Sequence, residues 1–419
     1  MKPLTLSDPG LDAAIEKLGR QKFQRKSLPF ISSPGVFTLL GPRRIGKSTQ
    51  FRVWQKKLLD EGVSLNKIAH VDAEIFENWK ELLEALENLK VDFLFIDEAT
   101  APKDWPRALK ILIDRGTLDK TCIWLTGSNA FDLKNMSEKL PGRRGENSSN
   151  RDVELLPLNF REFFEVHKKF KKSPGECFSN FLKFGGYPIA VSESLQFDRP
   201  SVDLMQTFVD VALGATTKSH RSPRLTGALV ERLWLNLGGL TSYHNLSKAL
   251  DAGSHPIIRQ YVEILEGCFA LLIAEKFNAK TRSGFLKKEK KIYFFDPLVM
   301  ASLVSWAQNP TQGVNPHWME IQMSDSAKFG KLLETLVASE FRKKKWPFYY
   351  DHAFGGEIDF VVPLSDQEIL AFEVKKSEPS MAEITPLKAY PNKSKVLIYE
   401  KFENQKPPGF ESLLDWLLK

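Results

Sequence analysis

The segment Gly41-Pro-Arg-Arg-Ile-Gly-Lys-Ser48 constrains the fold of this chain more than any other feature. It follows the apolar run Val36 to Leu40 and opens a stretch with helical character, which predicts a loop between a strand and a helix. In that position small glycines let backbone N–H groups converge on phosphate oxygens, and the helix N-terminus adds partial positive charge. The sequence therefore predicts a nucleotide-binding domain.

Each polar side chain of this loop has an expected role. Lys47 would reach the β- and γ-phosphates of ATP, and the Ser48 hydroxyl would join the coordination shell of Mg²⁺. A glycine turn that matches the pattern by chance is the alternative, and the strand–loop–helix order argues against it. The predicted nucleotide-binding set is Gly41, Pro42, Arg43, Arg44, Ile45, Gly46, Lys47, Ser48 and Thr49.

A second apolar run, Phe93 to Ile96, ends in Asp97 and Glu98. It predicts a buried strand that lies beside the first one in a parallel sheet. We expect Asp97 to hold the metal ion through water and Glu98 to orient and activate the attacking water. A surface acidic pair at a strand end is the alternative.

Further polar residues follow a third predicted strand, Thr121 to Thr126. Ser128 or Asn129 could sense the γ-phosphate and help to position the water. Arg143 and Arg144 are candidates for an arginine finger that acts on a neighbouring subunit, an effect on the order of 10³-fold in rate. A solvated basic turn explains the two arginines equally well.

Composition limits the class of protein. Hydrophobic content of 42% and charged content of 26% are typical of a globular protein. Since no apolar run approaches the roughly 20 residues that cross a bilayer, we expect no membrane partner. Three isolated cysteines without metal-ligand spacing, and the lack of an apolar block in the first 33 residues, favour the cytoplasm.

The middle of the chain predicts two helical regions. Leu155 to Phe164 closes the nucleotide domain, and Gly185-Gly186-Tyr187-Pro188 then suits a hinged lid. Thr241 to Leu250 and His255 to Glu266 predict two helices joined by a glycine turn, followed by two strands with a lysine-rich hairpin. This order predicts a winged helix, for which docking to protein rather than DNA is the alternative.

Basic residues cluster within a net charge of +7. The blocks are His167 to Lys172, Lys287 to Lys291 and Arg342 to Lys345. Solvated charge explains any single block. Three blocks beside a predicted winged helix favour a partner with a phosphate backbone.

The last hundred residues carry a separate acidic set. Glu334 lies in a predicted helix, Asp359 ends one predicted strand, and Glu373 and Lys375 alternate in another. Asp359 and Glu373 could bind Mg²⁺ while Lys375 positions water, which is the PD-(D/E)xK nuclease arrangement. The Glu-x-Lys tripeptide alone is weak evidence, whereas the ordered set of four within one domain is more specific.

Taken together, the chain resembles a bacterial and archaeal family of AAA+ ATPases that join a P-loop core to a winged helix and a restriction-endonuclease-like tail. The resemblance rests on Gly41 to Ser48, Phe93 to Glu98, Leu125-Thr-Gly-Ser128, Gly142-Arg143, Phe184-Gly-Gly-Tyr-Pro188, Lys291-Ile-Tyr-Phe-Phe-Asp296, Gly356-Glu-Ile-Asp359 and Glu373-Val-Lys375. It implies a homo-oligomeric ring, with a hexamer favoured, in which Arg143 or, failing that, Arg144 is the finger.

The expected fold class is α/β, with a parallel-sheet P-loop AAA+ core at residues 1–165. A helical lid (166–225), a winged helix-turn-helix (226–312) and an α/β nuclease-like domain (313–419) would follow. The expected function is ATP-dependent binding or remodelling of branched DNA, such as Holliday junctions in repair and recombination. An ATP-regulated, Mg²⁺-dependent DNA nuclease, and a nucleotide-switched signalling or defence protein without DNA remodelling, are the alternatives.

Overall fold

The computed structural model describes residues 28, 30–127, 133, 140, 151–365, 368–391, 393–400 and 409–419. The chain divides into two compact units between Leu156 and Pro157. The first unit thus ends before residue 165. The helix that begins at Phe160 belongs to the second unit, because the Phe160 ring packs on Phe178 and Phe181. No helix within these ranges is long and apolar enough to cross a membrane.

The first unit is built on five parallel strands in the order β2-β3-β4-β1-β5. Its described elements are β1 (Gly35–Leu40), α1 (Lys47–Asp60), β2 (Ile68–Asp72), α2 (Trp79–Leu86), β3 (Phe93–Asp97), α3 (Pro106–Asp114), β4 (Cys122–Thr126) and β5 (Asp152–Glu154). Strand β4 pairs with both β1 and β3. The expectation that the acidic strand lies directly beside β1 is therefore corrected: β4 separates them.

Alternation along the central strands gives the sheet two different faces. One face is aromatic, where Phe95 and Trp124 pack against Phe51 and Trp54 of α1. The other face is aliphatic, and it is covered by the buried leucines of α2 and α3. Because both faces are covered, β3 and β4 are apolar nearly throughout, as the sequence indicated.

The second unit contains a mixed sheet of eight strands in the order β13-β12-β11-β10-β9-β7-β8-β6. Its strands are β6 (Leu240–Thr241), β7 (Leu271–Asn278), β8 (Ser283–Phe294), β9 (Tyr349–Ala353), β10 (Gly356–Pro363), β11 (Ile369–Lys375), β12 (Ser394–Ile398) and β13 (Phe410–Ser412). β7 and β9 pair in parallel at Lys276 and Tyr350. The sheet is thus continuous across residue 312, where the sequence suggested a domain boundary.

Helices surround this sheet. They are α4 (Phe160–Lys168), α5 (Pro174–Phe184), α6 (Pro188–Ser194), α7 (Val202–Lys218), α8 (Pro223–Leu235), α9 (Tyr243–Ala249), α10 (His255–Gly267), α11 (Pro297–Gln308), α12 (Trp318–Ser324), α13 (Ser326–Lys343), α14 (Met381–Ile384) and α15 (Leu413–Leu417). Ser242 caps α9 by accepting a hydrogen bond from the backbone N–H of Asn245 at 3.1 Å. Ser254 precedes α10 but makes no side-chain cap.

The segments Phe184-Gly-Gly-Tyr-Pro188 and Lys291-Ile-Tyr-Phe-Phe-Asp296 meet inside the second unit. The backbone N–H of Gly186 donates to Asp296 Oδ2 at 2.9 Å, and Asp296 Oδ1 accepts from Leu298 N–H at 3.0 Å at the start of α11. A Cβ on Gly186 would lie 2.0 Å from the Leu158 carbonyl oxygen. The Gly-Gly-Tyr-Pro segment is therefore a tightly packed junction in this unit.

Candidate functional site

The loop between β1 and α1 needs glycine at both ends. Gly41 has φ 154°, and a Cβ there would lie 2.2 Å from the carbonyl oxygen of Leu155. Gly46 immediately precedes α1 with φ 96° and no side-chain cap. Only a residue without a Cβ fits the first position, and the second is left-handed, so the loop geometry follows from the sequence spacing.

Lys47 is buried at the first position of α1, and its ammonium turns back into the loop. Nζ donates to the carbonyl oxygens of Gly41 and Pro42, both at 3.0 Å. Burial lowers the pKa of Lys47, while the charges of Glu98 and Asp97 oppose this effect. The lysine is thus placed between the loop and the acidic pair.

The acidic pair ends β3 and is tied to the end of β4. Thr126 Oγ1 donates to Asp97 Oδ1, and the backbone N–H of Glu98 points at Asp97 Oδ1 and Thr126 Oγ1, at 3.1 Å each. Glu98 has φ 49°, so the chain turns sharply after the strand. The hydrogen bonds from Thr126 and from the Glu98 backbone thus hold the Asp97 carboxylate, and Glu98 is the first residue of the turn that follows β3.

Sequence reasoning missed Thr126 as a site residue. Its signal was available, because a hydroxyl at the carboxyl end of a strand next to the acidic strand lies at the same sheet edge. Ala99 N–H also donates to the Thr126 carbonyl oxygen at 2.7 Å, so this residue holds the turn on both sides.

The other predicted residues of the nucleotide site fall into two groups. Ser48 and Arg44 are exposed, and Arg43 and Thr49 are half-buried, along the loop and the first turn of α1. Four predicted residues lie outside the described part of the chain: Ser128, Asn129, Arg143 and Arg144.

The chemistry of this donor set fits a magnesium nucleotide. Loop N–H groups and the Lys47 ammonium match phosphate oxygens, and the Ser48 hydroxyl with the Asp97 carboxylate offers the oxygen ligands that Mg²⁺ prefers. All of them lie at the carboxyl edge of a parallel sheet, where ligands of such folds bind.

The second unit brings the four predicted nuclease-like residues together. Asp359 N–H donates to Glu373 Oε2 at 3.4 Å, and Lys375 Nζ lies 2.8 Å from Glu373 Oε1. Burial, reinforced by the charge of Asp359, raises the pKa of Glu373 to about 8. Glu334 of α13 joins the set through Lys291, which lies 2.8 Å from Glu334 Oε1 and 3.3 Å from Asp359 Oδ1.

A buried lysine lies among these acidic residues. The described residues contain no group of three or more His, Cys, Asp or Glu arranged to hold a metal ion. Lys291, which sequence reasoning missed as part of this site, occupies the centre of the acidic residues. Its contribution could not be read locally, since its partners lie 43 and 68 residues further along the chain.

A groove of about 830 Å³ lies in the second unit beside α10 and β8. The strand pairing of β7 and β8 shifts between Glu275 and Lys276, so residues 286–289 have no partner on β7. This bulge places exposed Lys287 and Lys288 along the groove, and the lining also includes Tyr243, Arg259, Arg342 and Trp346.

The predicted basic blocks are only partly available to a partner. Lys291 is fully buried, and the Lys343 side chain is only 2% exposed and donates to the Leu158 carbonyl oxygen. His167 is also buried. The sequence blocks thus overstate the exposed charge, because burial separates neighbouring residues of one block.

Three family models match parts of the chain. The model of a family described as an AAA domain matches residues 33–164. Two further family models, each described as a domain of unknown function (DUF8612 and DUF4143), match residues 176–309 and 329–413. The loop, the acidic pair and Thr126 all lie within the AAA match.

The relatives that match most of the chain have low sequence identity. An uncharacterized protein of Haemophilus influenzae is 23% identical over 430 residues, covering 96% of this chain and 99% of that protein. An uncharacterized protein of Methanocaldococcus jannaschii is 22% identical over 363 residues, covering 80% and 74%. Among solved structures, the Walker-type ATPase PABY2304 of Pyrococcus abyssi is 13% identical with a TM-score of 0.42, covering 71% of this chain and 95% of that one.

Proposed function

Starting from an AAA domain at residues 33–164, we propose that this protein hydrolyses ATP and couples hydrolysis to the binding of DNA. One observation carries the first half of the proposal. Lys47, Asp97, Glu98 and Thr126 meet at the carboxyl edge of one parallel sheet, beside a glycine loop that opens a helix.

The proposed roles follow from this geometry. Lys47 leaves the carbonyl oxygens of its own loop and binds the terminal phosphates, while Glu98 orients and deprotonates the attacking water. Asp97 and Ser48 would hold Mg²⁺, which neutralises the charge that develops on the phosphates. Thr126 keeps Asp97 in place, and Ser128 or Asn129 is the proposed sensor of the γ-phosphate.

Two substitutions test the ATPase. Lys47→Ala removes charge-assisted hydrogen bonds and is expected to weaken ATP binding by about 10- to 100-fold. Glu98→Gln is expected to keep ATP bound and to lower kcat by about 10²- to 10⁴-fold. Fluorescent-nucleotide titration and phosphate release measure the two effects.

The matched control is Lys56→Ala, which removes an exposed lysine of the same helix that is paired with Asp60. It should behave as wild type. Undiminished hydrolysis in Lys47→Ala would place the ATPase site elsewhere, and lost binding in Glu98→Gln would make Glu98 a structural residue.

The DNA half of the proposal is supported by the second unit. Its order of α8, β6, α9, α10 and the β7–β8 hairpin is compatible with the proposed winged helix, in which α10 would be the reading helix. Lys287 and Lys288 on the bulge line a groove beside α10, together with Arg342 and Trp346. Basic residues with an aromatic neighbour suit a phosphate backbone and its bases.

Salt-dependent binding tests this assignment. Lys287→Ser/Lys288→Ser is expected to weaken DNA binding and to reduce the slope of log Kd against log salt by about 2. The control, Lys168→Ser/Lys169→Ser, removes the same charge from another basic block. Wild-type protein without measurable DNA affinity would favour the nucleotide-switched signalling or defence protein.

The preferred DNA is branched, and a Holliday junction is the proposed substrate, because several winged helices around a homo-oligomeric ring suit several duplex arms. Four-way, forked and linear DNA of equal length distinguish this from general binding. Arg143, or else Arg144, is the proposed finger between subunits. Mixing Arg143→Ala with Lys47→Ala subunits should restore part of the hydrolysis, and no rescue would remove Arg143 from this role.

A further inference from the structure

Lys291 lies at the centre of the acidic residues of the second unit. Its Nζ is 2.8 Å from Glu334 Oε1, 2.5 Å from Glu357 Oε1 and 3.3 Å from Asp359 Oδ1. The lysine side chain is fully buried, as are nearly all of Glu334 and most of Asp359. A single ammonium thus reaches three carboxylates from α13 and β10.

Further contacts hold three of these acidic residues. The Tyr293 hydroxyl donates to Glu334 Oε1 at 2.7 Å, and Val374 N–H donates to Asp359 Oδ2 at 3.0 Å. The second oxygen of Glu334 lies 3.4 Å from Lys331 Nζ. Glu373 has Lys375 on one oxygen and Asp359 N–H on the other.

This arrangement leaves little for a divalent ion to bind. Mg²⁺ requires an octahedral shell of oxygens at about 2.1 Å, with lone pairs directed at the metal. Here those lone pairs are directed at ammonium, hydroxyl and amide donors. Three lysines, at 291, 331 and 375, already lie beside the four acidic residues at 334, 357, 359 and 373.

We propose that Lys291 is a built-in counter-cation that takes the place of a metal ion in the nuclease-like site, so that this site neither binds Mg²⁺ nor cuts DNA. Lys291 also fastens β8 to α13 and β10, which gives the acidic residues a structural role in joining the two parts of the sheet. The inference concerns the second unit and does not rest on the proposed ATPase.

Removing the ammonium should open a cation site. Mn²⁺ is the probe, because it takes the same oxygen ligands as Mg²⁺ and its free form is counted by electron paramagnetic resonance. Nucleotide-free, full-length wild type is titrated beside Lys291→Met. We expect Lys291→Met to bind one more Mn²⁺ than wild type. The affinity of the site formed by Glu334, Glu357 and Asp359 for Mn²⁺ should rise by at least about tenfold.

Two controls locate the new site. Lys290→Met removes the adjacent lysine, which is paired with Glu275, and should gain nothing. Lys291→Met/Asp359→Asn should lose the gained Mn²⁺. A correctly folded Lys291→Met that binds no additional ion would overturn the proposal.

Wild type itself provides a test that does not depend on the folding of any Lys291 variant. It should bind the same number of Mn²⁺ ions as Asp359→Asn and show no Mg²⁺-dependent cleavage of linear or four-way DNA. Mn²⁺ binding that Asp359→Asn abolishes, or cleavage that Lys375→Ala abolishes, would overturn the proposal and restore the nuclease interpretation.

Discussion

Thr126 contacts both acidic residues of the candidate site, one through its carboxylate and the other through its backbone. Its hydroxyl donates to Asp97 Oδ1 and lies 3.1 Å from the Glu98 N–H, so one side chain orients the residue proposed to hold the metal and the turn that carries the proposed base. Replacing a residue that orients a metal ligand typically costs about 10- to 100-fold in metal affinity or activity.

Thr126→Val keeps the shape and removes the hydroxyl. We expect ATP hydrolysis to fall by about 10- to 100-fold while ATP binding changes much less. Thr121→Val is the control, because that buried hydroxyl donates to the Val91 carbonyl oxygen at 2.9 Å, before the start of β4. Equal losses of hydrolysis in both variants would mean that only packing is affected.

The sequence predicted those site residues whose role depends on local spacing. Lys47 follows a glycine loop and Glu98 ends an apolar strand, so each is recognisable from its neighbours. Lys291 was missed because its partner is distant in sequence: Glu334 is 43 residues away. Thr126 is 29 residues from Asp97, and only the placement of their strands side by side in the sheet indicates the contact. Such pairing is a property of the folded sheet, not of periodicity.

At the scale of elements, the junction between α5 and α11 has no room for a side chain at Gly186. Gly186→Ala would place a methyl group 2.0 Å from the Leu158 carbonyl oxygen and disturb the hydrogen bond to Asp296. We expect a loss of about 3 kcal/mol in the free energy of unfolding, from overpacking and a strained buried hydrogen bond. Chemical denaturation measures it.

Gly214→Ala is the matched control for that experiment. Gly214 lies inside α7, and a Cβ there meets nothing within 4 Å. Alanine should therefore raise stability by up to about 1 kcal/mol through helix propensity. If both variants lost the same stability, the close approach at Gly186 would not be the cause.

His167 makes α4 sensitive to acid. The ring is buried, with Nδ1 2.9 Å from the Phe163 carbonyl oxygen and Nε2 3.0 Å from Ser194 Oγ. Burial lowers the pKa of His167 below its ordinary value of 6.5. On acidification the unfolded chain therefore binds a proton at His167 more readily than the folded chain does. The contribution of the neutral, buried ring to the free energy of unfolding is present above about pH 6.5 and is lost as pH falls.

The measurement is the midpoint of thermal unfolding between about pH 7 and about pH 5. His167→Gln should be less stable at neutral pH but should show a smaller decline on acidification than wild type. The exposed His244→Gln should decline as wild type does. An unchanged decline in His167→Gln would assign the acid sensitivity to other groups.

The observed helix and strand boundaries agree with the predicted ones where the hydrophobic periodicity is strong, and they differ where strand pairing is irregular. The helical spacing of Phe329 to Phe341 corresponds to α13, which runs from Ser326 to Lys343. By contrast, β8 begins at Ser283, and the lysine block expected in a hairpin turn lies within that strand. The shift in β7–β8 pairing allows the lysine block to lie within the strand, and no local sequence pattern predicts that shift.

At the scale of the whole chain, one sheet runs through both parts of the second unit. Residues 157–312 present apolar side chains that later residues cover: Phe277 packs on Tyr349, Tyr293 on Phe360, and Trp234 on Trp318. Sequence could not reveal this union, because β7 and β9 meet through Lys276 and Tyr350, far apart in the chain.

A chain that ends after residue 312 should therefore fold poorly. It would expose these aromatic faces and the free edge of β7, which favours aggregation. Size-exclusion chromatography of the shortened and full-length chains measures the difference. A monodisperse, cooperatively unfolding fragment would show that residues 157–312 are self-sufficient.

The aromatic face of the first unit has an optical consequence. The indoles of Trp54 and Trp124 are buried with ring centroids 4.5 Å apart, and Trp54 belongs to the helix that begins with Lys47. At that separation their excited states couple, and the coupling changes steeply with small displacements. We therefore expect an exciton signal in circular dichroism, without any label, that changes if this helix shifts when nucleotide binds at the loop between β1 and α1.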